Sequence, residues 1–341
     1  MSSTSTAHLI LNPAAGGAAT SLDDLTGAAQ ERGIKVRILE PGESVQFAAA
    51  AALEAGADVL GVAGGDGSVA AVIGVAAERE VPVVIVPTGT LNHFACDLGL
   101  NLAKPLHALD AFAGTERRVD IGRINGRPFI NNVSMGVYAE MLGDPDYKHH
   151  KLRVAYAKLR DAVLDTNRKR ALRVAAPGEI LLEDVVVVIV SNNPYEFSPL
   201  STIGRRYRLD TGMLQATVLS AGTLRELDRM LAGLVLGTIE HHPGLRHWTD
   251  ERLEVGVPGE RIRAGIDGEP ITLEAPLRFS VEPGALRILV PAGSAADRHV
   301  PPLRAGWHAA RRLRRWMRPS STHSSLRPEH IVQQGRNSGS T

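Results

Sequence analysis

Cysteine is nearly missing from this chain. Cys96 stands alone among 341 residues, so no intrachain disulfide can form and a reducing compartment is implied. Its setting, Phe94-Ala95-Cys96, suggests packing rather than reactivity. Long apolar runs are missing as well. The best stretch, Met230 to Ile239, is too short to span a bilayer and contains Gly233 and Gly237. No secretory leader is expected, because Asn12-Pro13 follows too soon. No thiolates accompany His149-His150 or the group His241, His242 and His247, and their spacing fits no tight zinc pattern. Surface or packing histidines are expected there. No Lys-Ser/Thr pair follows the main glycine turn, which excludes a Walker A loop, and its spacing is not that of a dinucleotide fingerprint.

Net charge is also scarce, at +1, but it is unevenly placed. From Pro301 to Thr341 there are eight Arg, no Lys and one acid, Glu329, giving +7. The total of 38 basic and 37 acidic residues then leaves 30 basic and 36 acidic before Pro301, or −6. A mildly acidic body with a basic tail points to an anionic surface as partner; nucleic acid is not expected. With 44% hydrophobic and 22% charged residues the composition is that of an ordinary soluble globular protein. The length allows one or two domains with a substantial core.

The central stretch is Val59-Leu60-Gly61-Val62-Ala63-Gly64-Gly65-Asp66-Gly67-Ser68-Val69. Val59 to Ala63 is short, apolar and partly β-branched, as a buried parallel strand requires. Gly64, Gly65 and Gly67 allow close backbone approach, and Ser68 is the expected N-cap of a helix through Val72 and Val75. A helix start behind glycines presents unpaired N–H groups to an anion, most often phosphate. Asp66, placed where anions are welcome, is suited to a metal or a proton rather than to the phosphate. The alternative is an ordinary strand–turn–helix corner.

Around this stretch, strands and helices alternate. His8 to Leu11 reads as a strand. Ser21 caps a helix stopped by Gly33, Ile34 to Leu39 is a strand, and Ser44 to Glu54 is an alanine-rich helix stopped by Gly56. Strand Val81 to Val86 leads to Pro87-Thr88-Gly89-Thr90-Leu91-Asn92 and a short helix through Phe94. This order predicts a parallel sheet with helices on both faces, an α/β unit over residues 1–117. Ligands gather beyond the carboxyl ends of such strands. Three loops there, Asn12 to Gly17, Gly64 to Ser68 and Pro87 to Asn92, supply small donors and backbone N–H groups. Any one alone is ordinary turn chemistry; together they favour a nucleotide or phosphorylated ligand.

After Arg117 the pattern becomes mostly antiparallel β, a sandwich or barrel over 118–291, whose last strand could return to the first unit. Arg118 to Ile124 and Pro128 to Val133 read as strands joined across Asn125-Gly126. Lys148 to Val163 reads as an amphipathic basic helix, and Thr223 to Leu236 as a helix capped by Thr223. Further strands are expected at Leu172–Ala175, Glu183–Val190, Leu214–Leu219, Leu253–Val257, Arg261–Ile266, Ile271–Leu273 and Leu277–Val281. Arg287 to Pro291 closes the ordered body. The runs Arg168-Lys169-Arg170 and Arg205-Arg206 with Arg208 read as solvated faces, or as a face toward anionic lipid. A cleft between the two halves is the expected active site.

With these loops assembled, the chain resembles the diacylglycerol kinase catalytic-domain family, the soluble bacterial lipid kinases related to sphingosine and diacylglycerol kinases. The matching residues are Asn12-Pro13 with Gly16, Gly64-Gly65-Asp66-Gly67-Ser68, Pro87-Thr88-Gly89-Thr90-Leu91-Asn92-His93-Phe94-Ala95, Asn131-Asn132-Val133-Ser134-Met135-Gly136 and Asp267-Gly268-Glu269. The Gly-Gly-Asp-Gly turn alone is shared with NAD kinases and phosphofructokinases; its combination with the other motifs is more specific. The resemblance implies ATP at the first-domain loops, with Thr90 and Asn92 near the nucleotide. It implies Mg²⁺ as cofactor, a lipid substrate and Glu269 as general base. A carboxylate within reach of a lipid hydroxyl can accept its proton as the oxygen attacks phosphorus. Asp66 is then a candidate for the metal or polyphosphate environment and Asp267 a support beside Glu269. Read without the family, Asp267-Gly268-Glu269 is a plain hairpin turn.

Two departures stand out. The family often holds a structural Mg²⁺ at an Asp-Asp-Gly-x-Leu turn; here the turn is Asp210-Thr211-Gly212-Met213-Leu214. Thr is an uncharged, weaker ligand for a hard cation, so Asp210 and the Met213 backbone are the metal candidates left there. Ser68 replaces the usual Thr and keeps the hydroxyl. Beyond the body, Leu303, Trp307, Ala310, Leu313 and Met317 recur at helical spacing over 302–318, with Arg304, Arg311, Arg312, Arg315 and Arg318 mostly opposite. That pattern predicts an interfacial helix for an anionic membrane, or equally a helix docked on protein. Residues 319–341 read as disordered. The expected setting is the cytoplasmic membrane face, and an exposed edge strand in the β-rich half could pair two copies. A soluble-substrate kinase of the NAD kinase kind and a non-catalytic lipid- or nucleotide-binding regulator are the competing readings.

Overall fold

The computed structural model describes residues 6–15, 20–142, 151–165, 174–176, 180–182, 184–198, 201–206, 208–236, 238–256 and 258–294. The first unit runs β1 (Ala7–Leu11), α1 (Leu22–Glu31), β2 (Lys35–Ile38), α2 (Val45–Glu54), β3 (Val59–Gly64), α3 (Asp66–Glu78), β4 (Val83–Pro87) and α4 (His93–Asp97). The strands pair in parallel in the order β2-β1-β3-β4. Every residue of β3 and β4 is buried, which is why their sequences are near-continuous apolar runs. Ile10, Leu60, Val62 and Ile85 face one side with Ala48, Ala52, Val72 and Ile73 of the covering helices. Leu9, Leu11, Val84 and Val86 face the other with Leu25 and Ala29. Each buried Leu, Ile or Val among them stabilises by roughly 1.5–3 kcal/mol, against about 1 kcal/mol for a cap. The caps therefore set where helices begin, and the buried strands hold the unit together. Ser21 and Ser44 cap α1 and α2, accepting from the N–H groups of Asp24 and Phe47.

The remainder comprises β5 (Thr115–Ile124), β6 (Arg127–Phe129), β7 (Asn132–Gly136), α5 (Val137–Leu142), α6 (Lys151–Leu164), β8 (Val174–Ala176), β9 (Ile180–Leu182), β10 (Val185–Asn192), β11 (Glu196–Ser198) and β12 (Ser201–Arg205). It continues with β13 (Leu214–Ser220), α7 (Leu224–Leu236), β14 (Leu245–Asp250), β15 (Arg252–Val255), β16 (Arg261–Ile266), β17 (Glu269–Glu274) and β18 (Leu277–Val290). A six-stranded antiparallel sheet has the order β14-β13-β10-β7-β16-β17. Strands β11 and β12 pair with each other in a separate two-stranded sheet, and the other strands extend the first sheet: β18 pairs in parallel with β4 at Ile288 and Leu289, and antiparallel with β5. β15 follows on β18, then β8 and β9.

The two sheets face each other across a core of Phe129, Val133, Val188, Leu214, Ile262 and Phe279. Phe129 and Phe279 meet edge to face with centroids 6.3 Å apart. The outer face of the six-stranded sheet lies under α5, α6 and α7, through Val137, Met141, Ala162, Val187, Leu227 and Met230. The fold is an α/β unit with helices on both faces joined to a β-rich, sandwich-like antiparallel unit. Among the described residues no helix is long and apolar enough to cross a membrane.

The structure departs from the sequence reading at several points. Pro128 to Val133 is not one strand: β6 ends at Phe129 in the first sheet and β7 begins at Asn132 in the second. Alternating apolar residues look the same whether or not the chain changes sheets, so periodicity hides the break. Leu277–Val281 and Arg287–Val290 belong to the single strand β18, which carries a register shift between Glu282 and Leu286 where it passes β5. Strand β14 and the short β9, β11 and β12 were not legible, nor was α5. Arg117 lies inside β5 rather than between elements. At the centre, α3 begins at Asp66 with Gly65 as N-cap, so Ser68 sits within the first turn instead of capping it.

Candidate active site

The strand ends β1, β3 and β4 bring the three glycine- and asparagine-bearing loops together. Asn12 holds its own turn by accepting from the Ala14 N–H at 3.0 Å, and its amide donates to Ser68 Oγ at 2.9 Å. Gly64 is required beneath this bond, because a Cβ there would lie 2.6 Å from Ser68 Cβ. Gly89 is required for a similar reason: a Cβ on it would collide with Gly65 Cα. The Thr88 N–H donates to the Gly64 carbonyl at 3.3 Å, so the second and third loops touch along their backbones. Asn92 adopts a left-handed conformation (φ 52°). It brackets Gly89, accepting from its N–H at 3.0 Å and donating to its carbonyl at 2.7 Å.

These glycines serve loop-on-loop contact and leave the start of α3 without a side-chain cap. The Asp66, Gly67 and Ser68 N–H groups have no intrahelical acceptor, and they suit phosphate oxygens. Asp66 accepts from the Phe94 N–H at 3.3 Å, which ties α3 to α4. Thr88 is buried and Thr90 exposed; Pro13, at the mouth of the first loop, is exposed as well. Gly16 lies outside the described residues.

The facing wall is a hairpin turn. Ile266 pairs with Glu269 across Asp267 (φ 49°) and Gly268 (φ 93°), both in the left-handed region that a two-residue turn needs. The plain-turn reading of Asp267-Gly268-Glu269 thus describes its backbone, and its side chains do more. Glu269 is exposed, at the start of the edge strand β17. Its Oε1 would lie 3.5 Å from a Cβ placed on Gly67. The carboxylate from the second half therefore stands directly beside the helix start bearing Asp66.

Asp267 accepts three backbone N–H groups, from Ile130 (2.9 Å), Asn131 (2.7 Å) and Asn132 (3.1 Å). These residues are the crossing between β6 and β7. Burial pushes the Asp267 carboxyl up to about 6, with the three N–H bonds and the Arg206 charge opposing the rise.

Arg206 lies on the other side of the same crossing. Its side chain is fully buried, which overturns the expectation of a solvated face for Arg206, while Arg208 is exposed; the Arg205 side chain lies outside the described residues. The guanidinium pairs with Asp97 at 2.8 Å and donates to the Ile130 carbonyl (2.6 Å), the Asn192 carbonyl (2.9 Å) and Asn131 Oδ1 (2.6 Å). It also lies over the rings of Phe94 and Tyr195, 5.9 and 5.6 Å from their centroids. Burial disfavours its charge, but Asp97, Tyr195 and Asp267 outweigh that and hold its pKa above the ordinary value. Nothing local marks such a residue: it sits in an arginine run whose neighbours have the same composition.

The Asp210 turn is held by protein groups. Asn193 Oδ1 accepts from both the Thr211 N–H (2.9 Å) and the Thr211 hydroxyl (2.7 Å), and the Met213 carbonyl accepts from the Asn193 N–H at 3.1 Å. Asp120, which is 1% exposed, accepts from the N–H groups of Gly212 (2.7 Å) and Gly284 (2.9 Å). Asp210 pairs with Arg208 at 3.0 Å. Protein groups thus engage the Asp210 carboxylate, the Thr211 hydroxyl and the Met213 carbonyl, and one carboxylate with one carbonyl suits Mg²⁺ only with several waters alongside. Among the described residues no three His, Cys, Asp or Glu side chains gather in a metal-holding group. His242 Nδ1 accepts from the Gly244 N–H at 3.1 Å, a turn contact. His149-His150, Arg168-Lys169-Arg170, the helix expected at 302–318 and the tail 319–341 lie outside the described residues. Asp120, Asn193 and Arg206 were missed as organising residues, because each acts on partners far away in the chain.

Comparison with known proteins follows the same division. The family model described as Diacylglycerol kinase catalytic domain matches residues 6–124. That described as YegS C-terminal NAD kinase beta sandwich-like domain matches residues 131–290. A Pseudomonas aeruginosa protein named "Probable lipid kinase YegS-like" is 30% identical over 254 residues, covering 73% of this chain and 82% of the relative. A Bacillus subtilis protein named "Diacylglycerol kinase" is 27% identical over 219 residues, 62% of this chain and 71% of the relative. Among solved structures, that of a diacylglycerol kinase from Bacillus anthracis superposes with a TM-score of 0.58 at 17% identity. It covers 84% of this chain and 96% of the other, a likeness of fold alone.

Proposed function

The chain belongs to the family of bacterial lipid kinases with a diacylglycerol kinase catalytic domain, and from that membership we propose an ATP-dependent kinase that phosphorylates a hydroxyl of a diacylglycerol-like or sphingoid lipid. The observation carrying this reading is the approach of Glu269 Oε1 to Gly67 across the two halves of the molecule. On one side, the uncapped first turn of α3 and the touching loops around Gly65 and Gly89 cradle the phosphates through backbone N–H groups. On the other, Glu269 accepts the proton of the lipid hydroxyl as its oxygen attacks the terminal phosphorus. The proton moves to the carboxylate, the new P–O bond forms, and the bond to the diphosphate leaving group breaks. Mg²⁺, when bound, neutralises charge on the phosphate oxygens. Asp66 is the side chain that would hold it, since this ion takes one or two carboxylates alongside phosphates and water.

The reading extends to a cytoplasmic protein docked peripherally on an anionic membrane through the basic segment 302–318. Transfer of labelled phosphate from ATP to a panel of lipids in mixed micelles, run beside NAD as acceptor, tests the proposal. A lipid product is expected. The name of the second domain's family gives the NAD kinase reading some support; transfer to NAD alone would establish it instead. Deleting residues from Arg304 onward should weaken sedimentation with anionic vesicles, and unchanged binding would remove the membrane role of that segment.

A further inference from the structure

Arg206 closes a ring of contacts that passes through both walls of the cleft. Asp66 accepts from the backbone of Phe94 at the start of α4. Asp97, at the end of α4, pairs with Arg206. Arg206 takes the Ile130 carbonyl and the Asn131 side chain. The N–H groups of residues 130–132 are held by Asp267. Two residues on stands Glu269, beside Gly67 and hence Asp66. The crossing between the sheets is therefore gripped from both sides, its N–H groups by a carboxylate and its carbonyl and amide oxygens by a guanidinium.

From this geometry we propose that Arg206 is a positioning residue, which sets the spacing between the α3–α4 loops and Glu269 by clamping the 130–131 crossing to Asp97. The inference rests on the kinase reading of the same site. A buried ion pair is a poor source of net stability, because desolvation offsets the attraction; its use here is directional. The planar guanidinium reaches four acceptors at fixed angles, one on α4, two on the crossing and one at the end of β10. Lysine keeps the charge but has no such fork. A connected chain of contacts is not itself coupling, so the test reads coupling.

The experiment compares wild type with Arg206→Lys, using hydrogen exchange in the ligand-free protein, calorimetric ATP binding and steady-state transfer to lipid. In the variant, exchange should accelerate together in 92–97 and 267–274 and stay unchanged in the strands 7–11 and 59–64. The kcat should fall by about 10²-fold, the cost of a small misplacement of a reacting group. The KM for ATP should move by less than about threefold, the pattern of a lost transition-state interaction. Should Arg206→Lys fail to fold, Asp97→Asn carries the same test from the α4 side. Wild-type kcat in a folded variant, or a kcat loss without faster exchange at 267–274, would overturn the positioning role and leave the kinase reading standing. A wild-type protein that binds no ATP would overturn both.

Discussion

The two walls of the cleft are built by opposite means. The wall around α3 is made mostly of backbone: glycines at 64, 65 and 89 let loops touch, Asn92 brackets its own turn at Gly89, and Asn12 ties the first loop to Ser68 of the second. The facing wall is made of side chains reaching far along the chain. Asp267 holds backbone 135 to 137 residues away, and Arg206 pairs with Asp97 at a separation of 109. Backbone loops on buried parallel strands need only the right small residues at the right place. A carboxylate on an edge strand needs an external brace, since among the described residues β17 has a neighbour on one side only. The lesson is that a wall of glycine loops is shaped mainly by its own backbone, while the carboxylate facing it depends on side chains from far along the chain.

That contrast can be broken at its strongest point first. Glu269→Gln keeps the shape of the turn and removes the proton acceptor. It should fold normally and lose about 10²- to 10⁴-fold in turnover, read as label transfer from ATP to lipid. Undiminished turnover would remove Glu269 from the chemistry.

The brace is next. Asp97→Ala leaves the Arg206 charge buried without its carboxylate, which should cost about 3–5 kcal/mol of unfolding free energy, measured by urea titration. A loss below about 1 kcal/mol, the range of exposed pairs, would show that the pair does not brace the junction.

A smaller, pH-dependent effect separates the two walls again. The folded Asp267 carboxyl, at about 6, lies above its ordinary value of 3.8. The folded state therefore keeps a proton that the unfolded chain has already released. The stability contributed by this group is complete below 3.8 and is lost as pH rises through about 6. The Tm of wild type minus that of Asp267→Asn should fall across that window and level off above it. A flat difference from pH 4 to 7 would show that Asp267 does not titrate there.

The mildest change is on the phosphate side. Ser68→Ala removes the acceptor of the Asn12 amide and should lower stability by about 1 kcal/mol, with a larger relative effect on ATP affinity than on the fold. Calorimetric affinity equal to wild type would show that the first loop is held by its backbone alone.

Much of the architecture was readable because its causes are short-range. Ser21, Ser44 and Thr223 cap helices within three residues of themselves. Asn125-Gly126 makes its turn through its own left-handed backbone, φ 46° and 82°. The three loops at the strand ends follow from alternation of strand and helix. What failed was of another kind. Gly65 rather than Ser68 caps α3, because the Ser68 hydroxyl is engaged by Asn12 from another strand end. Pro128 to Val133 splits between sheets, because Asp267 pins its middle.

By itself, then, the sequence determined the α/β unit, the β-rich half and the three loops at the strand ends, since apolar period, caps and glycine placement act over a few residues. Only the tertiary structure decided that Glu269 stands beside Gly67, that one arginine of a charged run is wholly buried, and that the Asp210 turn is held by Asn193 and Asp120. The physical reason is distance along the chain. A hydrogen bond between residues a hundred positions apart depends on how two sheets pack, and no local pattern carries that information.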